Sequence, residues 1–246
     1  MPFENNWYLI VGGSSGIGLS TAQALCAQGA HVVLAARSSE RLAHAMKTLP
    51  QGNLAFSTDL SNPSRAREAF DFCREQQIIL NGMLYSAGVS PLCLLADNTP
   101  ELMEQTFQLN LFSFIEMTKY FQQEQFSKEG SSIVGVASIA AQGSGYRQTL
   151  YGASKAAMIA AAKLMSRELL NRKIRINTIS PSATDTPLLT NLKIHSTNLE
   201  EKIRATQPLG MIPPDAVAQA IMFLLSDASS YLTGTDLVYD GGALLK

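Results

Sequence analysis

Tyr151-Gly152-Ala153-Ser154-Lys155 sets a phenol and an amine four residues apart, one helical turn along the same face. A phenol titrates near ~10 and is a poor acid or base at neutral pH unless its anion is stabilised. An ammonium one turn away would lower that pKa by roughly 1–3 units, suiting proton exchange with a substrate oxygen. Ser138, thirteen residues earlier at the end of an apolar run, is placed to donate a hydrogen bond to the same oxygen. Taken alone, a Tyr-x-x-x-Lys pair is better read as part of a solvent-facing helix. The choice between these readings rests on what lies upstream.

Upstream stands Gly12-Gly13-Ser14-Ser15-Gly16-Ile17-Gly18, directly after the apolar run Tyr8–Val11. Glycines allow a tight strand-to-helix turn and let a ligand approach the main chain. The free N–H groups and positive dipole end of the following helix then attract an anion. That combination fits a dinucleotide pyrophosphate site, whereas an ordinary glycine-rich turn would not need the strand before and the helix after. At the end of the next apolar run the chain reads Ala35-Ala36-Arg37-Ser38. An acidic residue about 20 positions past the glycines would bind the adenosine ribose hydroxyls and favour NAD. Ala36 removes the carboxylate, and Arg37 offers planar, charge-assisted hydrogen bonds to a 2′-phosphate. Ser14 and Ser38 add hydroxyl donors, so the expected cofactor is NADP(H); the plainer reading of Arg37 is a solvated surface residue.

Elements to position these groups are legible along the whole chain. Apolar runs at 8–11, 31–35, 54–58, 82–86, 132–137, 175–179 and 237–239 predict strands. Most are continuous rather than alternating, as in strands covered on both faces. Helices are predicted from Gly18 to Gly29 and over 63–76, 99–127, 151–171 and 215–225, with Pro63 and Pro214 near two starts. Alternation of this kind implies one Rossmann-type, doubly wound parallel α/β sheet of about seven strands, helices on both faces, in a single domain. Residues 186–212 lack clear periodicity and read as a substrate lid or binding loop.

Composition narrows the function further. The 246 residues carry 19 Lys plus Arg against 20 Asp plus Glu, a net charge of −1. With no basic stripe, nucleic acid is not expected as a partner. No apolar run approaches the ~20 residues that span a bilayer. The opening MPFENNWYLIVGG has Glu4 and two asparagines where a signal peptide would be basic and apolar, so a cytoplasmic location is expected. Cys26, Cys73 and Cys93 show no disulfide or zinc spacing, and His31, His44 and His195 no metal spacing; no metal is expected.

The glycine loop, the Ser138, Tyr151 and Lys155 set and the segments Pro208-Leu209-Gly210 and Asp240-Gly241-Gly242 together resemble the short-chain dehydrogenase/reductase family, nearest to bacterial 3-oxoacyl-carrier-protein reductases. The resemblance runs from about Tyr8 to Gly242. It implies Asn110 as a fourth catalytic residue, bending its helix around a water that connects Lys155 to solvent. It implies Asp59 as acceptor for the adenine amino group, and Leu60, Ala87, Gly88, Pro181, Thr184 and Thr186, with Tyr151 and Lys155, as further cofactor contacts. Two departures stand out: Val11 replaces a Thr, and Tyr85-Ser86-Ala87-Gly88 replaces Asn-Asn-Ala-Gly. Those family residues hydrogen-bond across neighbouring strands, so here packing is expected to tie the sheet edge instead. Ser182 stands where the family has Gly.

The implied activity is NADPH-dependent reduction of a ketone or 3-oxoacyl substrate to a secondary alcohol, with Tyr151 as general acid. Alternatives are an alcohol dehydrogenase working mainly in oxidation and a non-catalytic NADP-binding scaffold or sensor. Enoyl reductases space Tyr and Lys more widely than the four residues here. Carrier-protein reductases place two basic residues beside the mouth; Arg172 matches one, whereas Glu129 occupies the other position. The substrate is thus a small carbonyl or alcohol, carrier-bound or free. The apolar stretch Lys155–Met165 is expected to face another subunit, in a homotetramer or dimer.

Overall fold

A computed structural model describes residues 3–143, 145–193 and 199–245. Seven parallel strands form one sheet in the order β3-β2-β1-β4-β5-β6-β7. They are β1 (Trp7–Val11), β2 (His31–Ala36), β3 (Leu54–Ser57), β4 (Leu80–Tyr85), β5 (Ser127–Val136), β6 (Arg175–Pro181) and β7 (Asp236–Tyr239). Successive side chains of each strand enter opposite layers. Leu9, Val11, Met83, Tyr85 and Ile133 pack with Phe70, Phe114 and Met158 on one face. Tyr8, Ile10, Leu84 and Val134 pack with Ala22, Leu25, Val217 and Ile221 on the other. Two-sided burial is why the strands read as continuous apolar runs.

The helices are α1 (Gly16–Ala27), α2 (Ser39–Met46), α3 (Ala66–Glu75), α4 (Pro100–Phe107), α5 (Ser113–Phe121), α6 (Thr149–Leu169), α7 (Pro187–Lys193), α8 (Leu199–Thr206) and α9 (Pro214–Leu225). From β1 the chain winds one way to β2 and β3, then crosses back to β4 and winds the other way. The C-terminal ends of β1 and β4 thus flank a topological switch point, where such sheets hold ligands.

Three predicted stretches differ from the structure. Helix α2 escapes a periodicity reading because it is only eight residues long, although Ser38 caps it by accepting from the Arg41 N–H. The single helix predicted over 99–127 is broken: residues 108–112 form a π turn, with the Ser113 N–H bonded five residues back to Gln108 O. It also stops at Phe121, because the chain must turn before Ser127 pairs with Leu80. Finally, α7 and α8 occupy part of the stretch read as loop; His195 lies outside the described residues.

The sheet edge at the departures is tied by hydrogen bonds, contrary to the expectation of packing alone. Ser86 donates from its backbone N–H to Val11 O at 2.8 Å. Its hydroxyl donates to the same carbonyl at 3.0 Å, with Gly12 O at 3.4 Å. A serine hydroxyl on β4 needs only a main-chain acceptor on β1, so Val11 serves as well as a polar residue would. Ser86→Ala should therefore cost about 1 kcal/mol, read as a fall of about 2–4 °C in melting temperature; an unchanged midpoint would return the edge to packing.

Candidate active site

Gly12 turns the chain out of β1 with φ of +81°, and a β-carbon there would lie 2.6 Å from Ala87 N. Gly18 is equally closed: its β-carbon would sit 2.5 Å from Gly12 O and 2.6 Å from the Ser86 hydroxyl. Glycine is therefore required for the loop to press against the end of β4. Ser15 is extended and its side chain caps nothing, and the first turn of α1 carries no acidic residue. The opening amides of α1 and their dipole thus face the cleft without a competing anion from α1 itself. A bare main chain at this point fits a pyrophosphate.

Along the neighbouring strand ends, Arg37 is exposed and Ser38 half-buried, with Arg41 on the first turn of α2 beside them. Arg41 was not singled out from sequence; the Ser38 cap, once seen, places it there. Asp59 is held below the usual carboxylate range, first by the Ser61 backbone N–H at 3.0 Å and further by Arg37 and Arg65. Leu60 follows, its carbonyl accepting from Ser113 Oγ at 2.5 Å.

At the other end of the cleft, Ser138 leaves β5 and caps a short 3-10 turn, accepting from the Ala140 N–H at 3.2 Å. Tyr151 on α6 lines the same cleft, with the Ser138 side chain as the polar neighbour that acts on its phenol. Gly152 brings α6 against that turn, since a β-carbon there would lie 2.6 Å from Ala140 O. Lys155, one turn on, is 4% exposed. Its Nζ donates to Val136 O at 2.7 Å and lies 5.9 Å from the Tyr151 ring centroid. Burial lowers Lys155 to about 8, because a desolvated ammonium is disfavoured. Tyr151 is raised, not lowered as the helical spacing suggests: desolvation outweighs the Ser138 hydrogen bond. The ammonium donates to the Val136 carbonyl and stands over the Tyr151 ring.

Asn110 is fully buried within the π turn, which excludes a helix-surface amide. Its Oδ1 accepts from Val89 N at 2.9 Å, and its Nδ2 donates to Val89 O and Ser154 Oγ, both at 2.9 Å. A β-carbon on Gly88 would lie 3.1 Å from Asn110 Oδ1 and 3.4 Å from Lys155 Nζ, so the three groups converge.

The segment after β6 closes the site. Ser182 Oγ donates to Gln207 Oε1 at 2.7 Å and to Asp240 O at 2.9 Å. Gln207 is 2% exposed and also bonds both Ala183 N and Ala183 O. It thus anchors the turn holding Pro181 and Thr184, a role with no local sequence signal. Thr184 is bridged to Ile212, and the Thr186 methyl would lie 3.2 Å from a β-carbon on Gly16, so this segment reaches across to the glycine loop.

One cleft of about 1050 Å³ gathers these groups. Every site residue expected from the sequence lines it except Asn110, which stands behind the wall. Ser90, Gln105 and Gln148 add polar groups, and Pro91, Leu102, Ile139, Leu188 and Leu189 apolar ones, on the side of Ser138 and Tyr151. Arg172 is elsewhere: it donates to the Gln122 carbonyl and, at 2.9 Å, to Ser127 O, at the opposite end of β5 from Ser138. Glu129 there pairs with Lys173 at 2.6 Å. Among the described residues no helix is long and apolar enough to cross a membrane, and no cluster of metal-ligating side chains occurs.

A parallel sheet with this cleft at its switch point defines a dinucleotide-dependent oxidoreductase, and comparison with known proteins agrees. A family model described as enoyl-(acyl carrier protein) reductase matches residues 11–243. The chain is 32% identical over 237 residues to carbonyl reductase family member 4 of Xenopus laevis, covering 96% of this chain and 97% of that one. It is 30% identical over the same coverage to a human 3-oxoacyl-[acyl-carrier-protein] reductase. A solved short-chain dehydrogenase/reductase from Brucella melitensis, described as SDR:Glucose/ribitol dehydrogenase, superposes with a TM-score of 0.92 at 29% identity, covering 100% and 99% of the two chains. The chain belongs to the short-chain dehydrogenase/reductase family. It is an oxidoreductase acting on CH–OH or C=O groups, and the family binds a nicotinamide cofactor.

A buried ammonium destabilises the fold at neutral pH. With a folded pKa near 8 against ~10.4 unfolded, the unfolded chain binds more protons between those values, so stability rises with pH there. Lys155→Met should therefore melt higher than the parent at pH 7, with the gap closing towards pH 10. A gap independent of pH would contradict a charged, desolvated Lys155.

Proposed function

We propose that this enzyme reduces a ketone or 3-oxoacyl carbonyl to a secondary alcohol with NADPH, using Tyr151 as the general acid. The observation that carries the reading is the convergence of Ser138 and Tyr151 on one cleft, with the buried Lys155 one turn behind. When bound, NADPH supplies the hydride. Ser138 and Tyr151 hold the carbonyl oxygen by donated hydrogen bonds. Tyr151 passes its phenolic proton to that oxygen as negative charge builds on it. Desolvation raises its pKa, so the phenol carries the proton it donates at neutral pH. Lys155 keeps a positive charge beneath the ring, and Asn110 fixes the Gly88-Val89 backbone and Ser154 around it.

The same residues account for the cofactor. Gly12, Ser14, Ser15, Gly16, Ile17 and Gly18 receive the pyrophosphate, and Arg37 with Ser38 the 2′-phosphate. Asp59, Leu60, Ala87 and Gly88 border the adenosine half; Tyr151, Lys155, Pro181, Thr184 and Thr186 border the nicotinamide half. A small free carbonyl is the favoured substrate form, because Arg172 is engaged by main-chain carbonyls and Glu129 by Lys173. Leu164, 67% exposed on α6, supports a homo-oligomer, a tetramer or dimer, through that helix. Light scattering should return a multiple of 26.6 kDa.

The test is a panel of ketones, with ethyl acetoacetate among them, followed by loss of NADPH absorbance. Tyr151→Phe should lower turnover roughly 10²-fold or more while NADPH still binds; full activity would reject the mechanism. Arg37→Ala removes charge-assisted hydrogen bonds of about 1.5–3 kcal/mol. It should weaken NADPH at least about tenfold and leave NADH unchanged. Equal effects on both cofactors would remove the assignment of Arg37.

A further inference from the structure

Tyr85 is fully buried at the end of β4, a phenol the proposed chemistry does not use. Its ring lies 5.4 Å from that of Phe114, and its hydroxyl donates to Leu109 O at 2.5 Å. That carbonyl belongs to the π turn of residues 108–112. In an α-helix Leu109 O would accept from the Ser113 N–H, four residues on. Here that N–H is bonded to Gln108 O instead. The Tyr85 hydroxyl supplies the donor that the wider turn withdraws, from 24 positions earlier in the chain. The Ser113 side chain donates to Leu60 O and pins the far end of the turn.

A phenylalanine would fill the same space and make the same ring contact with Phe114. What only tyrosine adds is a proton for a buried carbonyl. The residue after that carbonyl is Asn110, whose three hydrogen bonds require its amide to emerge from the turn in one direction. We infer that Tyr85 is a positioning residue, capping the Leu109 carbonyl so that the π turn holds Asn110 against Val89 and Ser154 beside Lys155. The inference rests on the role proposed above for Asn110.

Tyr85→Phe tests it, since the substitution deletes only the hydroxyl; folding is checked by circular dichroism and melting. In the intact protein, hydrogen exchange at the Val89 amide, which donates to Asn110, should quicken at least about tenfold, with Gly82 in the middle of β4 unchanged. With ethyl acetoacetate and NADPH, kcat should fall about tenfold and the NADPH KM stay within about twofold of the parent. Because both residues act through one group, Tyr85→Phe/Asn110→Ala should be no slower than Asn110→Ala alone. Additive losses, or unaltered Val89 exchange, would overturn the inference by making Tyr85 merely structural. An active Tyr85→Phe beside an impaired Asn110→Ala would overturn the role of Tyr85 only. An Asn110→Ala enzyme with full activity would overturn the assignment of Asn110, and the function of Tyr85 with it.

Discussion

The catalytic end of this molecule is organised around a cation that its surroundings disfavour. Lys155 is buried, and desolvation draws its pKa down to about 8. A group in that position needs an oxygen acceptor and close neighbours without bulky side chains. Val136 O supplies the acceptor at 2.7 Å, which fastens α6 to the end of β5. Gly88 leaves room for the ammonium at the end of β4, and Asn110 closes the space behind. Tyr151 and Ser138 take their positions from the same contact, since each flanks the junction of α6 and β5.

A second constraint is main-chain approach at the switch point. Gly12, Gly18 and Ser86 form a contact too tight for additional carbon atoms, with Ser86 bonded back to β1. The glycine loop and the end of β4 are therefore held together as one wall of the cleft. Across the cleft, Gln207 holds the turn after β6 while Thr186 reaches over Gly16. The glycine loop, Ser138 and the turn after β6 line a single concavity because all follow the C-terminal ends of strands in one sheet.

How far the sequence is legible follows the distance over which each feature is decided. Two-sided strand burial shows as continuous apolar runs, so the sheet and its helices were readable from Tyr8 onwards. The glycine turn after β1 was readable because its glycines answer a local steric need, and the end of β2 before Arg37 because the strand is an unbroken apolar run. Helix α2 was too short for its period to register. The π turn leaves the amphipathic pattern almost unchanged, because it displaces a donor by only one residue, so the bend at Asn110 came from the family resemblance and not from periodicity. Ser86 was misjudged because its hydroxyl bonds a carbonyl, and carbonyls carry no residue type.

By itself the sequence determined the parallel sheet, the glycine-rich strand-to-helix turn and the Tyr151–Lys155 spacing. Each follows from period, backbone sterics or one turn of helix, all expressed within a few residues. Only the tertiary structure decided that Tyr151 is raised rather than lowered, that Arg172 lies at the far end of β5, and that Asn110, Tyr85 and Gln207 hold the site from behind. Those outcomes depend on burial and on partners 20 or more residues away, quantities set by how the layers close on the sheet.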